Sequence, residues 1–128
     1  MTRSITEGVE ISVDTRFLDD HSNPMDRFYF FLYTITIENK NDFTVQLLRR
    51  HWYIFDSNGE KREVEGEGVV GETPVLEAGE KYTYSSGCNL MTEMGKMRGI
   101  YSMNRLLDNK SFEVTIPEFL LIAPQKLN

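Results

Sequence analysis

Apolar and polar residues alternate with a period of two through most of the chain, and the places where the alternation changes phase carry as much information as the alternation. Val9, Ile11, Val13 and Phe17 alternate with Glu10, Ser12, Asp14 and Arg16, the pattern of a half-buried antiparallel strand over 9–17. Residues 18–26, with Asp19, Asp20, Asn23 and Pro24, predict an exposed loop. Residues 28–38 are apolar at both parities, Phe28, Phe30 and Leu32 on one face and Tyr29, Phe31, Tyr33, Ile35 and Ile37 on the other, as a central strand requires. The polar run 39–42 turns the chain into an extended segment over 43–56. There the apolar positions shift from Phe43, Val45 and Leu47 to Leu48, Trp52 and Ile54, which predicts a β-bulge near Leu48.

Turn chemistry divides the rest. Ser57-Asn58-Gly59-Glu60 predicts a type I′ hairpin pairing 53–56 with 61–64. Further strands are expected over 81–86, 95–104 and 111–122, the last broken by Pro117. Tyr82 stands where a tyrosine corner would place a hydroxyl bonding back to the upstream backbone. Short extended segments divided by turns give an all-β fold, a sandwich of two antiparallel sheets. Phe31, Tyr33, Ile35, Trp52, Val114 and Ile116 are its expected core.

Composition narrows the function classes. The 128 residues are 40% hydrophobic, enough for one domain, 1–128, with a real core. With 14 basic and 20 acidic residues the net charge is −6, the wrong sign for general binding to nucleic acid or anionic membranes. The single cysteine, Cys88, forms no internal disulfide, no secretory leader is visible, and no apolar run is long enough to span a bilayer. A cytoplasmic protein is expected.

Gly66, Gly68 and Gly71 spell GxGxxG. A dinucleotide site would need a helix to open at Val69. Two valines and Thr73-Pro74 follow instead, with no 3.6-residue period and no P-loop lysine, and Glu65, Glu67 and Glu72 stand where phosphate would need donors. The loop is not expected to bind ATP or NAD. Catalytic residues are not evident. His51 lacks a second histidine at ligand spacing and suits a structural role. Cys88 has no flanking cation or helix terminus to lower its pKa and suits a buried position. Ser85 and Ser86 have no histidine at a recognisable offset.

The stretch 64–88 resembles the ApaG family, with its GxGVVG loop at Gly66 to Gly71, Pro74-Val75-Leu76, Gly79-Glu80, Tyr82, Tyr84 and Ser86-Gly87-Cys88. The likeness continues through Thr44-Val45-Gln46-Leu47-Leu48, Arg50-His51-Trp52, residues 94–99 and Phe112 to Phe119. Ala78 stands where the family usually carries proline. The resemblance implies a fibronectin type III-like sandwich, an association with cobalt and magnesium tolerance, and a kinship with domains appended to F-box proteins and a DNA polymerase delta interacting protein.

Three functional readings stand, none with an assigned cofactor. The first is a protein-interaction module presenting Glu65, Gly66, Glu67, Gly68, Gly71 and Glu72 to a protein partner, with Tyr82, Trp52 and His51 as structural supports. The second is a small-ligand or divalent-cation binder, in which Glu63, Glu65, Glu67, Glu72, Glu77 and Glu80 hold Mg²⁺, or Co²⁺ if His51 is close, or in which Arg49, Lys61 and Arg62 draw phosphate or pyrophosphate to the GxGxxG loop. The third is an enzyme acting on a phosphorylated substrate. The eight Phe, six Tyr and one Trp either fill two inner faces or line an interaction surface.

Overall fold

The computed structural model describes residues 1–124. Its strands are β1 (Thr2–Thr6), β2 (Val9–Phe17), β3 (Tyr29–Asn39), β4 (Val45–Asp56), β5 (Lys61–Glu67), β6 (Val75–Leu76), β7 (Lys81–Leu90), β8 (Met94–Arg105) and β9 (Lys110–Ile122). One antiparallel sheet runs β1-β2-β3-β7 and the other β5-β4-β8-β9, with β6 continuing alongside β4. Residues 18–26 form two single-turn 3-10 segments.

The inner faces follow the alternation. Val9, Ile11, Val13, Phe31, Tyr33, Ile35 and Ile37 from the first sheet meet Val45, Leu47, Trp52, Ile54, Tyr101, Val114 and Ile116 from the second, and all are buried. The six expected core residues are among them. Each such aliphatic side chain contributes about 1.5–3 kcal/mol by leaving water. Tyr33, Trp52 and Phe119 meet in tilted and edge-on contacts, 5.3–5.9 Å between ring centroids, the geometry the ring quadrupoles favour.

Two irregularities keep the apolar residues inward. In β4 the register slips between Leu47 and Arg49, so Leu48 is the extra residue that the parity change required. In β9, Met97 pairs with Phe119 but Gly99 with Ile116, leaving one residue of β8 opposite two of β9. Pro117 sits in that bulge. The expected break is therefore corrected: β9 runs unbroken past Pro117, because a bulge asks no ladder donor of it.

Two turns also differ from expectation. At 57–60 only Gly59 takes a positive φ (93°), not Asn58. Gly59 N–H donates to Asp56 O (3.0 Å) and Asp56 N–H to Glu60 O (2.9 Å), a type I turn closed by a glycine bulge rather than type I′. At the β6–β7 turn the Tyr82 hydroxyl makes no hydrogen bond among the described residues, so the corner expected of it is absent. Asn39 and Glu80 hold that turn instead. Glu80 Oε1 accepts from Glu77 N–H at 2.7 Å. Asn39, fully buried, donates through Nδ2 to Phe43 O (2.8 Å) and Leu76 O (3.0 Å), accepts from Asn41 N–H (3.0 Å), and exchanges backbone bonds with Gly79 and Glu80.

The two seams of the sandwich are unlike. On one side β1 is stitched to β9, Ser4 Oγ donating to Thr115 O (3.1 Å) and Thr115 N–H to Thr6 Oγ1 (3.3 Å). On the other, β5 and β7 are both terminal strands and stand apart over a hollow.

Candidate functional site

The hollow is shaped by which way β4 and β5 point their side chains. Past the Leu48 bulge, Arg50, Trp52 and Ile54 face inward, and their cross-strand partners are Gly66, Val64 and Arg62. Arg49, His51, Tyr53 and Phe55 face out, opposite Glu67, Glu65, Glu63 and Lys61. The three cations expected to draw phosphate are therefore divided, Arg62 inside and Arg49 and Lys61 outside. Arg50, absent from that set, takes the central position; the predicted bulge, carried two residues further, places it there.

Gly66 makes room for Arg50. A Cβ at Gly66 would lie 3.0 Å from Arg50 Nη1. With the space open, Nη1 donates to Glu67 O (3.1 Å) and Gly68 O (3.0 Å). Gly68 N–H in turn donates to the bulged Leu48 O at 2.8 Å. Val69 and Glu72 then exchange two backbone bonds, 2.8 and 2.9 Å, around Val70 and Gly71, both at positive φ (47° and 79°). This is a two-residue hairpin of the I′ kind, carrying a β-branched residue in a strained region. Val69 is fully buried beneath it. The loop N–H groups of Gly68, Val69 and Glu72 are thus committed to backbone carbonyls, and no helix follows to focus positive potential.

Hollows of about 190 and 240 Å³ flank Arg50 and share Tyr33, Arg50, Trp52 and Ser86. The first extends to Arg62, Val64, Cys88 and Asn89. The second ends under Glu67, Val69, Val70 and Gly71, beside Tyr84. Arg62 Nη2 reaches across to Asn89 O and, at 3.5 Å, to Cys88 Sγ. Burial raises the Tyr33 phenol, partly offset by its bond to Ser86. Tyr84 and Tyr101 share a buried hydroxyl–hydroxyl bond, and burial raises both. The Cys88 thiol is pushed up to about 11 by burial, against the nearby Arg62 charge, so at neutral pH it is an unreactive thiol.

The remaining predicted residues are scattered. His51 lies on the outer face, Nε2 2.7 Å from Glu63 Oε1 and Nδ1 3.3 Å from Glu65 Oε2, stacked at 4.5 Å on Tyr53. Glu80 belongs to the β6–β7 turn. Among the described residues no three His, Cys, Asp or Glu side chains are grouped so as to hold a metal. No helix among them is long and apolar enough to cross a membrane. A larger hollow, about 410 Å³, lies at the far end beside Phe43 and Arg105, but Asp108 clamps Arg105 through two bonds of 2.9 and 2.5 Å.

The ApaG domain model matches residues 19–105, a span that includes both walls of the hollow. The chain belongs to the ApaG domain family. Protein ApaG of Brucella anthropi is 47% identical over 126 residues, covering 98% of this chain and 96% of that protein. Protein ApaG of Methylorubrum extorquens strain PA1 is 45% identical over 124 residues, covering 97% and 95%. A crystal structure of an ApaA protein from Bordetella pertussis superposes with a TM-score of 0.88 at 41% identity, covering 91% of this chain and 94% of that one. In this ApaG domain the GxGxxG loop is accordingly a backbone-bonded hairpin that caps the Arg50 hollow.

Proposed function

We propose that this ApaG domain is a non-enzymatic binding module that engages a protein partner along its open seam. What supports the reading is the asymmetry between the seams. One is stitched shut by Ser4, Thr6 and Thr115, while β5 and β7 leave two strand edges unpaired above a hollow containing Arg50 and Arg62. Unpaired edges offer backbone groups to an incoming chain. The candidate nucleophile is disarmed, since Cys88 holds its proton at neutral pH. The candidate base, His51, faces away from the hollow against Glu63 and Glu65. A divalent-cation role draws no support from the donor set, because Glu63 and Glu65 engage His51, Glu80 engages a turn amide, and no three such donors are grouped among the described residues. A lone buried thiol suits a reducing compartment, and the whole chain acts as one domain in this reading.

The test is capture from host lysate by the immobilised domain, followed by reconstitution with the purified partner in a calorimeter. Saturable binding is expected. Retention of no protein beyond that held by an unrelated sandwich of equal charge, together with a rise in unfolding temperature on adding Mg²⁺, Co²⁺, pyrophosphate or nucleotide, would replace this reading with the small-ligand one.

A further inference from the structure

We propose that the seam between β5 and β7 receives an extended acidic segment of the partner, its carboxylates read by Arg50 and Arg62. The inference rests on the protein-partner reading and adds the partner's chemistry. Several cations elsewhere on the fold are already matched. Lys40 pairs with Glu10, Lys81 with Glu38, Lys96 with Glu118 and Arg105 with Asp108, and Arg98 lies over the Tyr53 ring. Arg50 and Arg62 differ from these and are the two cations that line the hollow. Neither has a carboxylate within ion-pair distance among the described residues, although three glutamates lie on the opposite face of β5. Arg50 uses only Nη1, on the carbonyls of Glu67 and Gly68, and Arg62 only Nη2, on Asn89 and Cys88. The Nε and second Nη of each lack an acceptor among the described residues. In Arg50 the free Nε and Nη2 lie on one side of the guanidinium and form the planar fork that a carboxylate accepts bidentately, while Arg62 offers Nε and Nη1 singly, on opposite sides.

The surroundings choose among anions. Glu67 lines the second hollow and the whole chain carries −6, so a polyphosphate meets repulsion that a carboxylate matched one to one by an arginine largely escapes. Size points the same way. The two hollows, about 190 and 240 Å³, each fall below the roughly 300 Å³ at which pockets for drug-sized ligands begin, yet they lie in succession on either side of Arg50. An extended chain fills such a row by pointing alternate side chains into it, about 7 Å apart, while its backbone bonds to a free strand edge.

The experiment uses the full chain, ¹⁵N-labelled, and follows the arginine Nε–Hε signals with the amides of Gly66, Ser86 and Gly87. The probes are an N-acetylated, C-amidated pentapeptide alternating valine and glutamate, its glutamine isostere, acetate and inorganic pyrophosphate. Saturable shifts at these signals with the glutamate peptide are expected, at least tenfold tighter than with the glutamine peptide. Acetate should move the arginine signals alone and only at far higher concentration. Arg62→Gln should weaken the glutamate peptide about tenfold while its amide spectrum elsewhere remains that of the folded protein. Equal binding of the two peptides, saturation by pyrophosphate where the glutamate peptide fails, or no response to any probe would each overturn the proposal. Capture with R62E separates this from the broader reading. Unchanged recovery of the wild-type partner rejects the seam but leaves a binding module, whereas absence of any partner with the wild-type domain rejects the module.

Discussion

Gly66 stands directly across the ladder from Arg50, and the missing Cβ is what allows the guanidinium to lie against β5 and hold the carbonyls of Glu67 and Gly68. Gly66→Val should push Nη1 away. Because a guanidinium at the end of a flexible stem can move, the stability change should stay within about 1 kcal/mol. Hydrogen exchange over residues 66–72 should nevertheless accelerate. Unaltered exchange would mean that Arg50 does not secure the loop.

The other two loop glycines should differ in cost. Gly68 combines φ +66° with a Cβ position 2.2 Å from Glu72 O, whereas Gly71, at +79°, has nothing within 4 Å. Gly71→Ala should therefore lose only the left-handed strain, about 1 kcal/mol. Gly68→Ala adds a backbone clash and should lose more than about 2 kcal/mol. Urea midpoints in the reverse order would contradict this geometry.

Hydroxyl deletion distinguishes two tyrosines. The Tyr82 hydroxyl has no partner among the described residues, so Tyr82→Phe should change stability by less than about 0.5 kcal/mol. Tyr101→Phe leaves the buried Tyr84 hydroxyl without its partner and should cost about 1–3 kcal/mol. Equal midpoints for the two variants would place the polar anchor elsewhere.

Asn39→Leu keeps the branching of the side chain, with somewhat more bulk, but removes the amide bonds to Phe43 O and Leu76 O. Stranding those carbonyls should cost about 2–4 kcal/mol. Thermal unfolding indistinguishable from wild type would show that water replaces the amide.

Alkaline stability should report Cys88. Its folded pKa, about 11, lies above the ordinary 9.0, so between these values the unfolded chain has released a proton that the native state keeps. The unfolded state then binds fewer protons, and stability falls as pH rises. The contribution is intact below about pH 9 and lost by about pH 11. Cys88→Ala should flatten part of that decline, the raised tyrosines supplying the rest in the same direction. A slope unchanged by the substitution would assign the whole effect to the tyrosines.

What could be read in advance depended on whether a residue declared itself by side chain or by surroundings. The Leu48 bulge was legible because misplaced parity exposes apolar groups to water. β1 was not, since Ile5, itself exposed, is the one apolar residue in Thr2–Thr6 and gives no alternation to detect. Asn39 resembled a turn residue because an amide buried by bonding Asn41, Phe43 and Leu76 has the same letter as one in solvent. The glycine pattern announced a loop correctly, yet its chemistry lay in carbonyls pointing at Arg50, which no motif spells.

The bulge at Leu48 has a use distinct from packing. Removing Leu48 would leave Leu47 inward, Arg49 outward and Arg50 inward in unbroken alternation, so a β4 one residue shorter would serve the core equally well. The surplus residue instead contributes its carbonyl, swung out of the β4–β8 ladder and occupied by Gly68 N–H. A chain lacking Leu48 is expected to fold into the same sandwich with its glycine hairpin unmoored, which makes that single backbone oxygen a tether kept for the rim of the seam rather than for the interior.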